Sequence, residues 1–334
     1  MRVALKVTFG LAVVAFGIVS VYWLMKEDDM DSNISNEIPA SIAVSQTPLS
    51  TPFFIAHKLG LFKLQGIDIS LVPCNGGVEC MAMMQKGAAD YATISESVAM
   101  FNSFKNTDFS ILSTFVTSDN DLKLLSLTNR GFSSIRDLKG KSIGVIKSSA
   151  SEFYLDSLLL ASGMDTADVN RVYMGPDKLV QMMKIGKVDA ISSWEPWGYR
   201  AQTTMDIANL GFKGMYTLSF NLATLKKEGQ YYDERSKRIL IALRHAIKWI
   251  IEHPEKAKKI VSGSLNIEIS QLNWIWGDYV FRLSMTNVLL ANMQLQARWA
   301  LEHDLVKGKS MPDLRGILDD SAFRASQEDG GLEP

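Results

Sequence analysis

The chain has 334 residues, 47% of them hydrophobic and 21% charged, with a net charge of −1. That length allows two domains of ordinary size, and near-neutrality without a long basic run excludes an electrostatic footprint for nucleic acid. Two cysteines, Cys74 and Cys80, are too few for a disulfide scaffold.

Arg2 and Lys6 precede an uncharged run, Val7 to Met25, which is followed at once by Lys26-Glu27-Asp28-Asp29. As a helix this run would rise about 28 Å, close to the hydrocarbon thickness of a bilayer. Two readings stand. Residues 1–26 form an uncleaved single-pass anchor with the N-terminus in the cytosol, or they are a cleaved signal peptide. The second wants a shorter apolar core and a better small-x-small site than Ile18-Val19-Ser20. Either way the rest of the chain lies on the periplasmic face of the inner membrane, with polar residues 27–39 as a tether.

Ser41 to Val44 reads as a strand and Gln46 to Thr51 as a polar loop. Pro52 suits the first turn of a helix through Leu59. Ile67 to Val72 alternates as a strand, Asn75-Gly76-Gly77 is a loop, and Val78 to Lys86 is a helix stopped by Gly87. Tyr91 to Ile94 is a strand ending at Ser95-Glu96-Ser97. Across 108–130 two β-like runs flank Ser118-Asp119-Asn120-Asp121, a natural crossover. From Asp137 to Trp197 the pattern is β-α-β-α-β. Its strands are 142–146, 169–174 and 188–192, and its helices 153–161 and 178–185. Ligands of such sheets bind outside the carboxyl ends of the strands, which points to Lys147–Glu152 and to Trp194-Glu195-Pro196-Trp197.

An internal repeat supports two similar lobes. MMQKGAADYATISE (83–96) lies on MMKIGKVDAISSWE (182–195) without a gap, at an offset of 99. The same helix–Gly–Asp–strand unit thus occurs twice. The glycines serve as helix stops and the methionine pairs as core. Met215 to Leu222 is a β-like run that could cross back. Beyond it, helices are expected over Ser236–Glu252, ended by Pro254, then over Ser270–Arg282 and Val288–Glu302, with 321–334 as a loose tail. The order is anchor 1–26, tether 27–39, first lobe 40–118, second lobe 119–218, helical return to the first lobe 219–320, and tail 321–334.

In this order of motifs the chain resembles the substrate-binding proteins of ABC importers of the nitrate/alkanesulfonate/taurine/thiamine-precursor group. The residues that carry the resemblance are PFFIAHKLGLFKLQGIDISLV, GGVECMAMMQKGAADYATIS, DLKGKSIGV and KIGKVDAISSWEP, spread over 41–225. The resemblance implies an α/β type II periplasmic-binding-protein fold, with two lobes, each around a mostly parallel sheet, joined by two crossover segments. It implies a monomer that holds a small-molecule solute between the lobes and works with an ABC permease and ATPase. Members are usually soluble or lipid-anchored, so a helical tether departs from the pattern.

Gln46 to Thr51 matches the group's first ligand loop, with Ser45, Gln46, Ser50 and Thr51 as hydrogen-bonding groups or as ordinary turn and cap residues. Gly76 and Gly77, and Ser148 and Ser149, precede helices whose first amides suit an anion; a serine cap without a ligand is the alternative. Glu96, beside Ser95, and Glu195 follow equivalent strands. They face an amine across the cleft, or they are first-turn acids favoured by the helix dipole. Lys147 could meet an anion or pair with a glutamate, and Glu152 is a helix-start acid. The group often sets an aromatic against the ligand where Trp194 stands; hinge or core packing is the alternative, for Trp197 above all. Cys74 and Cys80 are a candidate disulfide in an oxidising compartment, or two separately buried thiols.

Chemistry finds little footing. Gly140-Lys141-Ser142 lacks the upstream glycine and the following helix of a phosphate loop. The four histidines show no metal-ligand spacing, there is no G-x-S-x-G, and no cofactor motif is present. Three functions are compatible with these residues. The first is a solute receptor feeding an importer. The second is a tethered receptor signalling to a membrane kinase or cyclase. The third is an enzyme like the thiamine-pyrimidine synthases, whose cysteine-rich motif is missing here.

Overall fold

The computed structural model describes residues 37–226, 233–307 and 310–329. From Ile38 onward they belong to one compact unit. The anchor expected over 1–26 lies outside the described residues. Among the described residues no helix is long and apolar enough to cross a membrane.

In chain order the elements are β1 (Ile38–Ser45), α1 (Thr51–Lys58), α2 (Leu61–Leu64), β2 (Ile67–Cys74), α3 (Gly77–Gln85), β3 (Tyr91–Ser95), α4 (Glu96–Ser103) and β4 (Phe109–Ser118). Then come β5 (Leu122–Leu127), β6 (Ser142–Val145), α5 (Ala150–Ala161), β7 (Asn170–Tyr173), α6 (Pro176–Lys184), β8 (Ala190–Trp194), α7 (Trp197–Thr204) and β9 (Ile207–Asn209). The chain finishes with β10 (Leu218–Leu225), α8 (Glu234–Glu252), α9 (Pro254–Leu265), α10 (Ile269–Ile275), β11 (Tyr279–Ser284), α11 (Asn287–Glu302) and α12 (Ser321–Asp329).

Two sheets organise these elements. The first has the order β11-β4-β10-β3-β1-β2 and the second β7-β6-β8-β5-β9. β1 pairs in parallel with β2 and β3, and β6 with β7 and β8. Antiparallel strands complete each sheet on the other side. The chain passes from the first sheet to the second between β4 and β5, and back between β9 and β10.

The repeat is a repeat of structure. α3 and β3 correspond to α6 and β8 at the same offset, end for end. Gly87 and Gly186 each take a φ near +72° and donate to the carbonyls of Met84 and Met183, a left-handed helix stop that disfavours any residue with a Cβ. Asp90 Oδ2 accepts from the Ser41 amide at 2.8 Å, and Asp189 Oδ2 from the Ser142 amide at 2.9 Å. In each lobe the aspartate thus ties the incoming strand to its parallel neighbour. Met84 and Met183 are fully buried.

Two apolar clusters hold the unit. In the first, Phe53, Phe115 and Phe220 meet edge to face at 4.8 and 5.9 Å. In the second, α11 receives a side chain from the second lobe: Phe153 of α5 packs against Trp299 at 4.9 Å and Tyr216 at 5.2 Å. Thr166 Oγ1 and His303 Nδ1 add a 3.2 Å hydrogen bond between the same two regions.

The C-terminal third departs from expectation in three places. The helix expected over Ser270–Arg282 stops at Ile275, turns through Trp276–Asp278, and becomes β11 on the outer edge of β4. Tyr279 and Phe281 are buried while Val280 and Arg282 are exposed, so the burial has period two. Pro254 ends α8 as expected but starts α9 at once, since proline lacks only an amide that a first turn leaves free anyway. The tail expected over 321–334 is helical as far as Asp329: Ala322 and Ser326 are buried, and Arg244 donates to Ser326 Oγ at 2.8 Å. Residues 330–334 lie outside the described part.

Candidate functional site

Several chain segments end or begin around one enclosed space between the sheets. β1 delivers Ser45 at its carboxyl end, followed by Thr47 and Leu49. β2 leads to Gly76 and Gly77 at the start of α3, and β3 to Ser95 at the start of α4. From the second lobe come Ser149 and Ala150 at the start of α5 and Trp194 at the end of β8. Val78, Val98, Leu122, Leu218 and Phe220 supply apolar wall, and Asp121 of the first crossover completes the lining. The volume is about 20 Å³, room for about one water molecule.

Backbone amides at the starts of α3, α4 and α5 have no helical partner of their own and carry the positive end of each helix dipole. The Ser95 hydroxyl already caps its helix, accepting from the Val98 amide at 3.3 Å. Ser149 Oγ instead donates to the Ile146 carbonyl at 2.7 Å. Ser45 Oγ, Thr47 Oγ1 and Asp121 Oδ2 are buried and make no hydrogen bond to any described residue. Buried polar atoms are nearly always paired, and three without a partner stand together on the lining of this one cavity. Gly76 takes a φ of +90°, and a Cβ there would lie 2.9 Å from Cζ2 of Trp194. Backbone of the first lobe and indole of the second therefore touch across the cleft.

Of the residues expected from sequence, Ser45, Gly76, Gly77, Ser95, Ser149 and Trp194 line this space, and the others do not. Gln46 is exposed and folds back onto the Val44 carbonyl at 3.1 Å. Thr51 caps its own turn, donating to the Pro48 carbonyl at 2.6 Å, and Ser50 is buried behind it. Ser148 gives its amide to Glu152 Oε2 at 2.7 Å, the helix-start role expected of that glutamate. Lys147 is exposed over the Tyr173 ring at 5.4 Å. Cys74 and Cys80 form a disulfide across the Gly76-Gly77 loop, which ties the start of α3 to the end of β2.

The facing glutamates require correction. Glu96 is fully buried outside the cavity lining, and its Oε2 accepts from both the amide and the hydroxyl of Ser219, each at 2.7 Å. Burial pushes its carboxyl up to about 7, against the pull of the Ser219 bonds. Glu195 is also fully buried; its Oε2 accepts from the Tyr199 amide at 2.9 Å and Oε1 lies 3.9 Å from Lys123 Nζ. Glu96 turns to the amide and hydroxyl of Ser219 on β10, donors that sequence spacing does not reveal, whereas Glu195 takes the amide of Tyr199, four residues on at the start of α7, the helix-start role expected as its alternative. Neither lines the cavity.

The acid on the lining is Asp121, which sequence reasoning saw only as part of a turn. It is 1% exposed, and its Oδ1 accepts from Tyr279 OH at 2.7 Å. Burial pushes its carboxyl up to about 7; the Tyr279 bond opposes this and the Glu195 charge adds to it. Tyr279 belongs to β11, the strand expected to be helix, so no sequence signal led to this pair. The place of Asp121 in the first crossover, three residues past the strand-end Ser118, was the available hint.

Comparison with known proteins matches residues 47–257 to the family described as NMT1/THI5 like. A Bacillus subtilis (strain 168) protein named for aliphatic-sulfonate binding is 27% identical over 230 residues, 65% of this chain and 68% of that one. The alkanesulfonate-binding protein SsuA from Xanthomonas axonopodis pv. citri, solved bound to MOPS, superposes with a TM-score of 0.77 at 14% identity. It covers 84% of this chain and 97% of its own. The periplasmic aliphatic sulphonate binding protein SsuA from Escherichia coli gives 0.72 at 16% identity, over 86% and 99%. The fold is that of the periplasmic binding proteins.

Proposed function

The chain belongs to the NMT1/THI5-like family, and from that premise we propose that it is a periplasmic solute receptor of an ABC importer. It captures a small organic solute (a sulfonate, a taurine-like zwitterion or a thiamine-precursor-like amine) between its lobes and hands it to a permease and ATPase. The observation that carries the reading is the cavity itself. Three helix starts converge on a space lined by the unpartnered hydroxyls of Ser45 and Thr47, donors suited to an oxyanion, while Trp194, Phe220 and Leu122 form an apolar wall for the rest of a small molecule. A void of about 20 Å³ is too small for a sulfonate, so a solute enters with the lobes apart, and two crossovers permit a hinge of that kind. The relatives are binding proteins by name, which favours capture and release over turnover.

A thermal-shift screen of sulfonates, nitrate, amines and pyrimidines, followed by calorimetry, tests this. A solute at a hundred times its Kd adds about 2.7 kcal/mol of stability, a readily measured rise in Tm. Trp194→Ala and Ser45→Ala should each weaken the hit. Silence from every panel, or a hit indifferent to both variants, removes the cleft from the account. Stimulation of a reconstituted permease–ATPase by the loaded receptor tests the importer half.

A further inference from the structure

We propose that Asp121 reads a protonated amine on the solute, so that the ligand is bipolar: its amino end at the first crossover and its oxyanion at the helix starts. The inference rests on the cleft being the solute site.

Asp121 is the charged residue of the cavity lining among the described residues. One of its oxygens is committed to Tyr279 and the other is unpartnered at 1% exposure. A buried carboxylate oxygen left without a donor is costly, and a donor brought by the ligand relieves that cost only when bound. Charge points the same way. The charged groups that act on Asp121 are two acids, Glu195 and Asp278, and one base, Lys123. Lys123 is taken up by the Asn120 side chain at 2.9 Å and lies 3.9 Å from Glu195. The next acid, Asp278, is occupied by Lys213 at 2.7 Å and by Asn120 at 2.8 Å. Lys123 and Lys213 are thus held by other groups, and the acid that lines the cavity has no cation of its own. The rest of the lining offers hydroxyls and helix-start amides and no carboxylate, the environment an oxyanion needs. A ligand with charge at one end alone would leave one part of this lining unanswered.

Calorimetry on the purified full chain with matched pairs decides the matter: taurine against ethanesulfonate, and β-alanine against propanoate. The members of each pair differ by the amine alone. In the natural chain the amine member should bind about ten- to a hundredfold tighter, as for a hydrogen bond to a charged group. Asp121→Asn should collapse that ratio to about threefold or less. Equal or tighter binding of the amine-free members by the natural chain overturns the proposal, with or without a folded variant; so does a preference that survives Asp121→Asn. Should neither pair bind while another sulfonate, nitrate or a pyrimidine does, the amine reading falls and the cleft stands. No binding by any solute removes both.

Discussion

Substituting Gly76 by alanine separates folding from closure. The built Cβ lies 2.9 Å from Trp194 Cζ2, whereas carbon atoms rest at about 3.5–4.0 Å, so methyl group and indole must part by most of an ångström. The backbone strain of an alanine at φ +90°, about 1–2 kcal/mol, is present whether the lobes are together or apart. It lowers stability and cancels from closure. The contact does not cancel, because Trp194 stands on the other lobe. Overpacking of this kind costs about 1–3 kcal/mol. For a solute that binds only the closed form, that weakens affinity by about five- to 150-fold. Calorimetry with the best solute of the panel measures it, with small-angle scattering to follow the lobes. Gly76→Ala combined with Trp194→Leu should lose less than the sum of the two, a coupling of about 1 kcal/mol or more. Gly77→Ala is the control. Its Cβ meets Ile94 Cα and the Ser95 amide of the same lobe at 3.2 Å, so it should lower stability without coupling to Trp194. Unchanged affinity in Gly76→Ala, or strict additivity with Trp194→Leu, refutes the reasoning.

Glu96 holds its proton up to about pH 7 in the folded chain, against an ordinary value of 4.5. Folding therefore takes up a proton in that window, and its contribution is full below pH 4.5 and lost as pH rises toward 7, about 3 kcal/mol in all. Denaturant unfolding at pH 5 and pH 8 should show Glu96→Gln losing less stability over that interval than the natural chain; identical slopes count against it. Cutting the Cys74–Cys80 link by paired alanines should cost about 2 kcal/mol for so short a loop, read as a lowered unfolding midpoint that reductant reproduces in the natural chain alone. Asp156, fully buried, is paired with Arg171, and burial pushes its carboxyl up to about 6. Arg171→Met strands that charge and should cost about 3–5 kcal/mol at pH 8, with part regained below pH 6 and by adding Asp156→Asn. A loss that ignores pH argues for packing instead.

Local pattern was legible wherever the chain repeats itself or alternates. The glycine and aspartate that close each α–β unit could be placed because they answer to neighbours a few residues away and to one backbone conformation. β11 was not legible. Its residues suit a helix by periodicity, and only the open edge of β4 makes an extended run there worth more. The glutamates show the same limit from the side of the site. Equivalence in the repeat put Glu96 and Glu195 at the same distance past the same strand, but the donors that claim them, Ser219 and Tyr199, differ between the lobes. The duplicated scaffold does not carry a duplicated role.

The sequence by itself determined the two α/β units, their strand ends and the loops in which a ligand could be met, because those follow from hydrophobic period and turn chemistry over short spans. It also paired Cys74 with Cys80 as a candidate link, six residues apart. Which polar groups reach the cavity was decided only in three dimensions. Asp121 enters the lining because Tyr279, from a distant edge strand, holds one of its oxygens and leaves the other free. Glu96 is withdrawn because β10 returns with two donors. A carboxylate such as that of Glu96 goes to the buried donors the assembled chain brings within hydrogen-bond reach, and no local pattern records where those donors are.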